Sequence, residues 1–138
     1  MPKRDLYHEA VKNALIKGGW TVTHDPLVIK FKGMRWFVDL AAERISIDEE
    51  GEHKIAIEVK VFGGFSPVDD LEKALGQYNI YRFLLRETAS ERELFLAIPH
   101  EIYSKFFQRP AIQLVVSDQK IKRLVFDPIR EEVMEWTS

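Results

Sequence analysis

The chain has 138 residues and a mass of 16.1 kDa, with 46% apolar and 30% charged residues, which suits one globular domain and excludes a disordered chain. It has no cysteine, which excludes a disulfide framework, a thiol nucleophile and cysteine-ligated zinc, and fits a reducing cytoplasm. The net charge of −2 excludes an overall basic nucleic-acid binder, so any phosphate-binding patch has to be local.

No apolar run reaches the roughly 20 residues of a membrane span, and Met1-Pro2-Lys3-Arg4-Asp5 has no signal-peptide character. A cytoplasmic protein is expected. No repeat or Pro/Gly/Ser-rich linker divides the chain, so residues 1–138 are read as one domain.

A first helix is expected from about Asp5 to Lys17. Asp5 can cap it and Gly18-Gly19 can end it. Tyr7, Ala10, Val11, Ala14 and Leu15 form one helical stripe. Short β-rich runs follow at 20–23 and 27–31, with turns at His24-Asp25-Pro26 and Lys32-Gly33. Residues 36–47 are expected as one strand. Lys54 to Phe62 alternates, with Ile55, Ile57, Val59 and Val61 on one face and Ala56, Glu58, Lys60 and Phe62 on the other. The acidic stretch 48–52 reads as the hairpin loop between them. Ser66-Pro67 opens a second helix that runs to about Glu87, with Asp69 and Asp70 at its positive end. Residues 93–98 form a strand and Pro99 opens a short helix through Phe107. The stretches 112–116 and 121–126 are expected to pair as a hairpin around 117–120. The expected order is α-β-β-β-α-β-α-β-β, an α/β fold with helices flanking a central mixed sheet.

Glu58-Val59-Lys60 on an otherwise apolar strand is the informative feature. Glu58 and Lys60 share one face, and charges there are costly unless paired or used. If the hairpin turns near Glu50, paired residue numbers sum to about 100. Asp39 then falls opposite roughly Val61, close to Glu58 and Lys60. Asp39, Glu58 and the Val59 carbonyl are hard oxygen donors suited to Mg²⁺ or Mn²⁺. Lys60 can position a nucleophile or stabilise developing negative charge. A half-buried Glu–Lys pair on a solvated sheet face is the plainer alternative, and it is weighed against the surrounding order of elements. That order, with the acid in a hairpin, Glu-x-Lys on its second strand and a helix directly after, is that of the PD-(D/E)xK nuclease superfamily. Val38 stands before Asp39 where the superfamily name has proline.

Gln77 and Tyr81, four apart on the second helix, resemble the Gln-x(3)-Tyr element that follows the catalytic strand in some of those nucleases. Gln77 therefore joins Asp39, Glu58 and Lys60 as a candidate catalytic residue. Glu9 has the spacing of the helix-borne metal acid in the resolvase-like branch, and is a candidate metal ligand beside Asp39, Glu58 and Val59. It lies nearly opposite the apolar stripe of its helix, so a solvated acid is the alternative. His8, His24, His53 and His100 show no zinc-ligand spacing. His8 and Lys12 read as surface residues able to face phosphate. The glycines of Phe62-Gly63-Gly64-Phe65 suggest a mobile loop at the mouth of the site.

Taken together, Asp5-Leu6-Tyr7-His8-Glu9-Ala10-Val11-Lys12-Asn13-Ala14-Leu15, Gly19-Trp20-Thr21-Val22-Thr23-His24-Asp25-Pro26, Val38-Asp39-Leu40-Ala41-Ala42-Glu43, Ile57-Glu58-Val59-Lys60-Val61-Phe62 and Ala74-Leu75-Gly76-Gln77-Tyr78 resemble the XisH family of fdxN-element excision controlling factors. The resemblance implies a restriction-endonuclease-like fold, an α-β-β-β-α-β core with a C-terminal hairpin. It implies a role in programmed excision of a DNA element during heterocyst differentiation in cyanobacteria, beside a site-specific recombinase and an XisI-like companion. Two functions follow as expectations. One is a Mg²⁺- or Mn²⁺-dependent DNA endonuclease, expected by analogy as a homodimer because two strands must be cut. The other is a catalytically silent accessory factor acting through the companion or the recombinase complex.

Overall fold

The computed structural model describes residues 3–46, 51–88 and 90–138. Helix α1 (Lys3–Lys17) buries Ala10, Val11, Ala14 and Leu15, the stripe read from the sequence. Its start precedes Asp5, so Asp5 sits in the first turn rather than at the cap. Its end is a Schellman motif: Gly19 takes φ +87°, Trp20 N–H donates to the Leu15 carbonyl (3.0 Å) and Gly19 N–H to that of Ile16 (3.1 Å).

Five strands, not three, separate α1 from the next helix: β1 (Thr21–His24), β2 (Leu27–Phe31), β3 (Met34–Val38), β4 (Leu40–Ser46) and β5 (Gly51–Val59). The single strand expected over 36–47 is broken at Asp39, a bend between β3 and β4. β2 and β3 pair only with each other, and the main sheet runs β1-β4-β5-β6-β7-β8. Of the acidic loop expected over 48–52, residues 48–50 lie outside the described residues, while Gly51 and Glu52 begin β5 instead; β4 and β5 pair antiparallel, with Ser46 opposite Gly51.

Helix α2 (Pro67–Glu87) starts as expected, with Ser66 Oγ accepting from Asp69 N–H and Pro67 in the first turn. Then come β6 (Glu93–Pro99), α3 (His100–Lys105), a 3₁₀ turn (Phe106–Gln108), α4 (Pro110–Asp118), β7 (Arg123–Asp127) and β8 (Glu132–Thr137). The C-terminal hairpin exists, but its strands are β7 and β8. Residues 112–116, expected as a strand, lie in α4. Pro110 at the first helical position and the inward spacing of Ile112 and Val116 favour a helix there despite the branched side chains.

β5 pairs parallel with β6, and β6 with β7. These central strands are covered on both faces, as parallel strands usually are. On one face Ile55, Ile57, Ala97, Leu124 and Phe126 pack against α1 and Trp20. On the other Ala56, Leu94, Leu96, Ile98 and Val125 pack against α2. No helix among the described residues is long and apolar enough to cross a membrane.

Candidate metal centre

The β4–β5 register sets the site. Leu40 pairs with Ile57 and Ser46 with Gly51, so paired numbers sum to 97. The sum of about 100 expected for a turn near Glu50 was three too high. Asp39 therefore falls opposite Glu58, not Val61. The two acids clasp each other's backbone: Asp39 N–H donates to Glu58 Oε1 (3.2 Å) and Val59 N–H donates to Asp39 Oδ2 (2.8 Å). Lys60 N–H donates to the Ala97 carbonyl of β6 (3.0 Å). Successive residues of a strand turn their peptide groups to opposite edges, so the Val59 carbonyl faces the edge where Asp39 stands.

Glu58 is 7% exposed and is the one buried charged side chain among the described residues. Both faces of β5 are covered, which corrects the expectation of a single buried face. Glu58 and Lys60 line a cleft of about 420 Å³ together with Val59, Phe62, Asp70 and Gln77. The structure thus brings Glu58, Lys60 and Gln77 to one cleft and Asp39 to its edge. The cleft opens at the carboxyl end of β5, between that strand and the helix that follows it, where ligands of open α/β sheets usually sit. Tyr81, the expected partner of Gln77, is buried in the core against α2's neighbours.

Asp70 was read only as a helix-dipole residue. Its Oδ2 accepts from Gly64 N–H (3.0 Å), and a Cβ on Gly64 would lie 2.8 Å from its Oδ1. Glycine is needed there for that close approach. Nothing in the local sequence distinguishes Asp70 from Asp69 beyond the glycine pair six residues upstream. The segment 62–65 is pinned rather than loose at its start. Phe62 is buried against Phe106 and Phe107, with ring centroids at 6.3 and 5.4 Å, and takes φ +57°. A bulky residue in the left-handed region costs on the order of 1–3 kcal/mol, and this one stands two residues after Lys60.

Glu9 lies on α1 with His8 and Asp25, one ligand atom from each within 4.8 Å of the others. Asp25 follows β1, whose His24 is opposite Ala41, so this group and Asp39 stand at the same end of the sheet. His8 is not a bare surface residue: His8 Nε2 lies 2.7 Å from Asp25 Oδ1, and Lys12 Nζ donates to Asp25 Oδ2 (2.9 Å). Partial burial pushes the Asp25 carboxyl upward, but the bonds from Lys12 and His8 outweigh it and hold the group below the usual carboxylate range. The same hydrogen bond and the Asp25 charge hold the Lys12 ammonium above its ordinary value.

The donor set at the β4–β5 junction, two carboxylates and a main-chain carbonyl, is all hard oxygen and fits Mg²⁺ or Mn²⁺. A family model described as XisH protein matches residues 1–134. The chain is similar to the crystal structure of an XisH family protein from Nostoc punctiforme PCC 73102, with 38% identity over 97% of this chain and 100% of that one and a TM-score of 0.88. It is similar to that of an fdxN element excision controlling factor protein from Anabaena variabilis, with 38% identity over 98% and 100% and a TM-score of 0.87. No curated protein matches it.

Proposed function

The chain belongs to the XisH family, and on that footing we propose that it is a divalent-metal-dependent DNA endonuclease serving the excision of a DNA element. The fold is on this reading restriction-endonuclease-like and the site of PD-(D/E)xK type. The name of the Anabaena relative supports the excision role. The observation that carries the chemistry is the reciprocal clasp of Asp39 and Glu58, with Lys60 and Gln77 in the adjoining cleft.

Asp39, Glu58 and the Val59 carbonyl would hold Mg²⁺ or Mn²⁺, with Glu9 a further acid at the same end of the sheet. Such an ion, when bound, acidifies water and neutralises charge at phosphorus. Each carboxylate accepts from a backbone N–H, which orients the group in advance. The Lys60 ammonium stabilises the charge that develops on the non-bridging phosphate oxygens, or orients the attacking water. The Gln77 amide, which lines the same cleft, would donate to a phosphate oxygen. The wall formed by Phe62 keeps one side of the cleft dry. Cutting both strands calls for two copies of the site, hence a homodimer on DNA.

Plasmid cleavage in Mn²⁺ tests this, comparing wild type with Glu58→Ala, each with and without an XisI-like companion. Wild type should nick or linearise DNA and the variant should lose activity by roughly 10²–10³-fold or more. Absence of metal-dependent cutting by wild type in every condition sinks the nuclease reading.

A second reading, an accessory factor acting through the companion or a recombinase complex, is favoured by the apolar side chains Val68 of α2 and Val115 of α4, which share one cleft with both residues exposed, beside the exposed Leu114. A complex that survives Glu58→Ala, with no cutting by wild type, would support it.

A further inference from the structure

A chain of net charge −2 can hold a polyanion only on a local basic surface. The β2–β3 hairpin is such a surface. Between Pro26 and Val38 the sequence has Lys30, Lys32 and Arg35 and no Asp or Glu. The pairing sets the two faces: Leu27, Ile29, Phe31, Trp36 and Val38 pack on the core. Val28, Lys30, Arg35 and Phe37 therefore alternate onto the outer face, where all four are exposed. Lys30 is directly opposite Arg35, and like charges so placed repel. Among the described residues none of the three cations has a carboxylate within salt-bridge distance. Lys32 occupies the turn itself at φ +49°, followed by Gly33 at +81°. A two-residue turn with both φ positive favours Asn, Asp or Gly at its first position, so the lysine adds strain and puts a charge at the tip.

The basic surface does not end at the tip. Phe31 packs edge-on against Phe83 of α2, with centroids 6.3 Å apart, Lys32 Nζ lies 5.7 Å from the Phe31 ring and the Arg86 guanidinium 5.5 Å from that of Phe83. Beside Arg86 a cleft of about 450 Å³ is lined by Arg82, Arg92, Lys120 and Lys122, with Glu93 as its one acid. Lys122 is paired with Glu93 and Arg92 with Glu43; Lys120 is exposed. Ser90 and Leu85 line both this cleft and the one that contains Lys30, so hairpin and cleft are continuous. At its other end β3 runs directly into Asp39. Arg35 is four residues from Asp39, about 13 Å of extended chain.

We propose that the outer face of the β2–β3 hairpin, continued by Arg86 at the end of α2, grips the sugar-phosphate backbone of duplex DNA beside the bond held at the Asp39–Glu58 site. The exposed Val28 and Phe37 pack against sugars. An extended basic band of this kind fits a backbone better than a single small anion, and a two-stranded ribbon matches the width of the major groove. The inference rests on the reading of the site as one that acts on DNA, but binding is separable from cutting.

The test is fluorescence polarisation of a labelled duplex with the full chain in Ca²⁺ or EDTA, at several salt concentrations. Replacing all three cations (Lys30→Gln, Lys32→Gln, Arg35→Gln) should weaken binding roughly tenfold or more and flatten the slope of log K against log salt by roughly 2.7. Lys32→Asn, which suits the turn, should flatten it by about 0.9 without lowering the melting temperature. A wild type that does not bind duplex, or a triple variant with the wild-type affinity and slope, overturns the proposal. So does a triple variant that keeps DNA binding but changes the oligomeric mass, because the face is then an interface between copies. Hairpin-dependent binding by a wild type that never cuts upholds the proposal and sinks the nuclease reading instead.

Discussion

At the scale of single residues, the clasp between Asp39 and Glu58 puts two carboxylates on facing strands, each accepting from a different backbone N–H. Like charges on facing strand positions disfavour each other, and a cation bound between them would relieve that. Asp39→Asn keeps an oxygen for the Val59 N–H and removes one charge. In metal-free buffer its stability should stay within about 1 kcal/mol of wild type. On the proposed reading Mn²⁺ should raise the melting temperature of wild type by binding the native state, and in the variant that rise should vanish. Thermal melts with and without Mn²⁺ check this; a variant that still gains stability from the ion removes Asp39 from the site. Glu58 and Lys60 were legible in the sequence because strand parity alone puts positions two apart on one face. Asp39 was legible as a neighbour but not in register, because the hairpin turns earlier than its acidic stretch suggests. Asp70 was not legible, since its bond to Gly64 depends on how the loop folds back onto α2.

At the scale of elements, short polar links hold the layers in place. Tyr78 of α2 donates to the Leu94 carbonyl of β6 (2.9 Å) and accepts from Lys122 N–H (3.1 Å), so one buried hydroxyl ties the helix to β6 and to the segment entering β7. Tyr78→Phe leaves both backbone groups without that partner and should cost about 1–3 kcal/mol in urea unfolding. Burial holds this phenol above its ordinary value of 10.0, so its contribution is complete below pH 10 and declines as pH rises further. Asp25 joins α1 to the β1–β2 corner through His8 and Lys12. Its folded-state value is lowered from 3.8. The stability it contributes is therefore present above that pH and lost as pH falls through the lower folded value. Asp25 and its partners are 23–33% exposed, which keeps the effect below roughly 1 kcal/mol. The stability gap between wild type and Asp25→Asn, measured by denaturant titration, should narrow as pH falls below 3.8; a gap that widens there contradicts the assignment. Helices α1 and α2 were readable because caps and apolar spacing agree along each. Helix α4 was not: its run of Ile112, Leu114, Val115 and Val116 carries strand-favouring side chains, and packing onto the core overrides them.

At the scale of the whole molecule, the α/β class was legible because alternating strands and amphipathic helices interleave along the chain. The last strand was not. β8 is a short edge strand with mostly exposed side chains, and such a stretch has too little alternation to stand out from loop. Its role comes from long-range packing. Trp136 lies against Trp20 (5.7 Å) and Phe95 (5.0 Å), while Lys17 Nζ donates to the Arg130 carbonyl (2.6 Å) and Asn13 to Glu131 Oε2 (3.0 Å). The end of the chain thus clamps α1, the helix that carries Glu9, onto the sheet. Trp136 is 39% exposed, so Trp136→Ala should cost less than a fully buried tryptophan, about 1–3 kcal/mol, with an unchanged dependence on denaturant because the native surface stays nearly the same. Loosening α1 also shifts Glu9 relative to Asp39. If Glu9 shares the cation, the variant should bind Mn²⁺ more weakly even where it is fully folded, and calorimetric titration well below its melting temperature measures that directly. Unchanged Mn²⁺ affinity beside reduced stability would confine the metal centre to the β4–β5 junction and leave Glu9 as an acid of the His8–Asp25 corner.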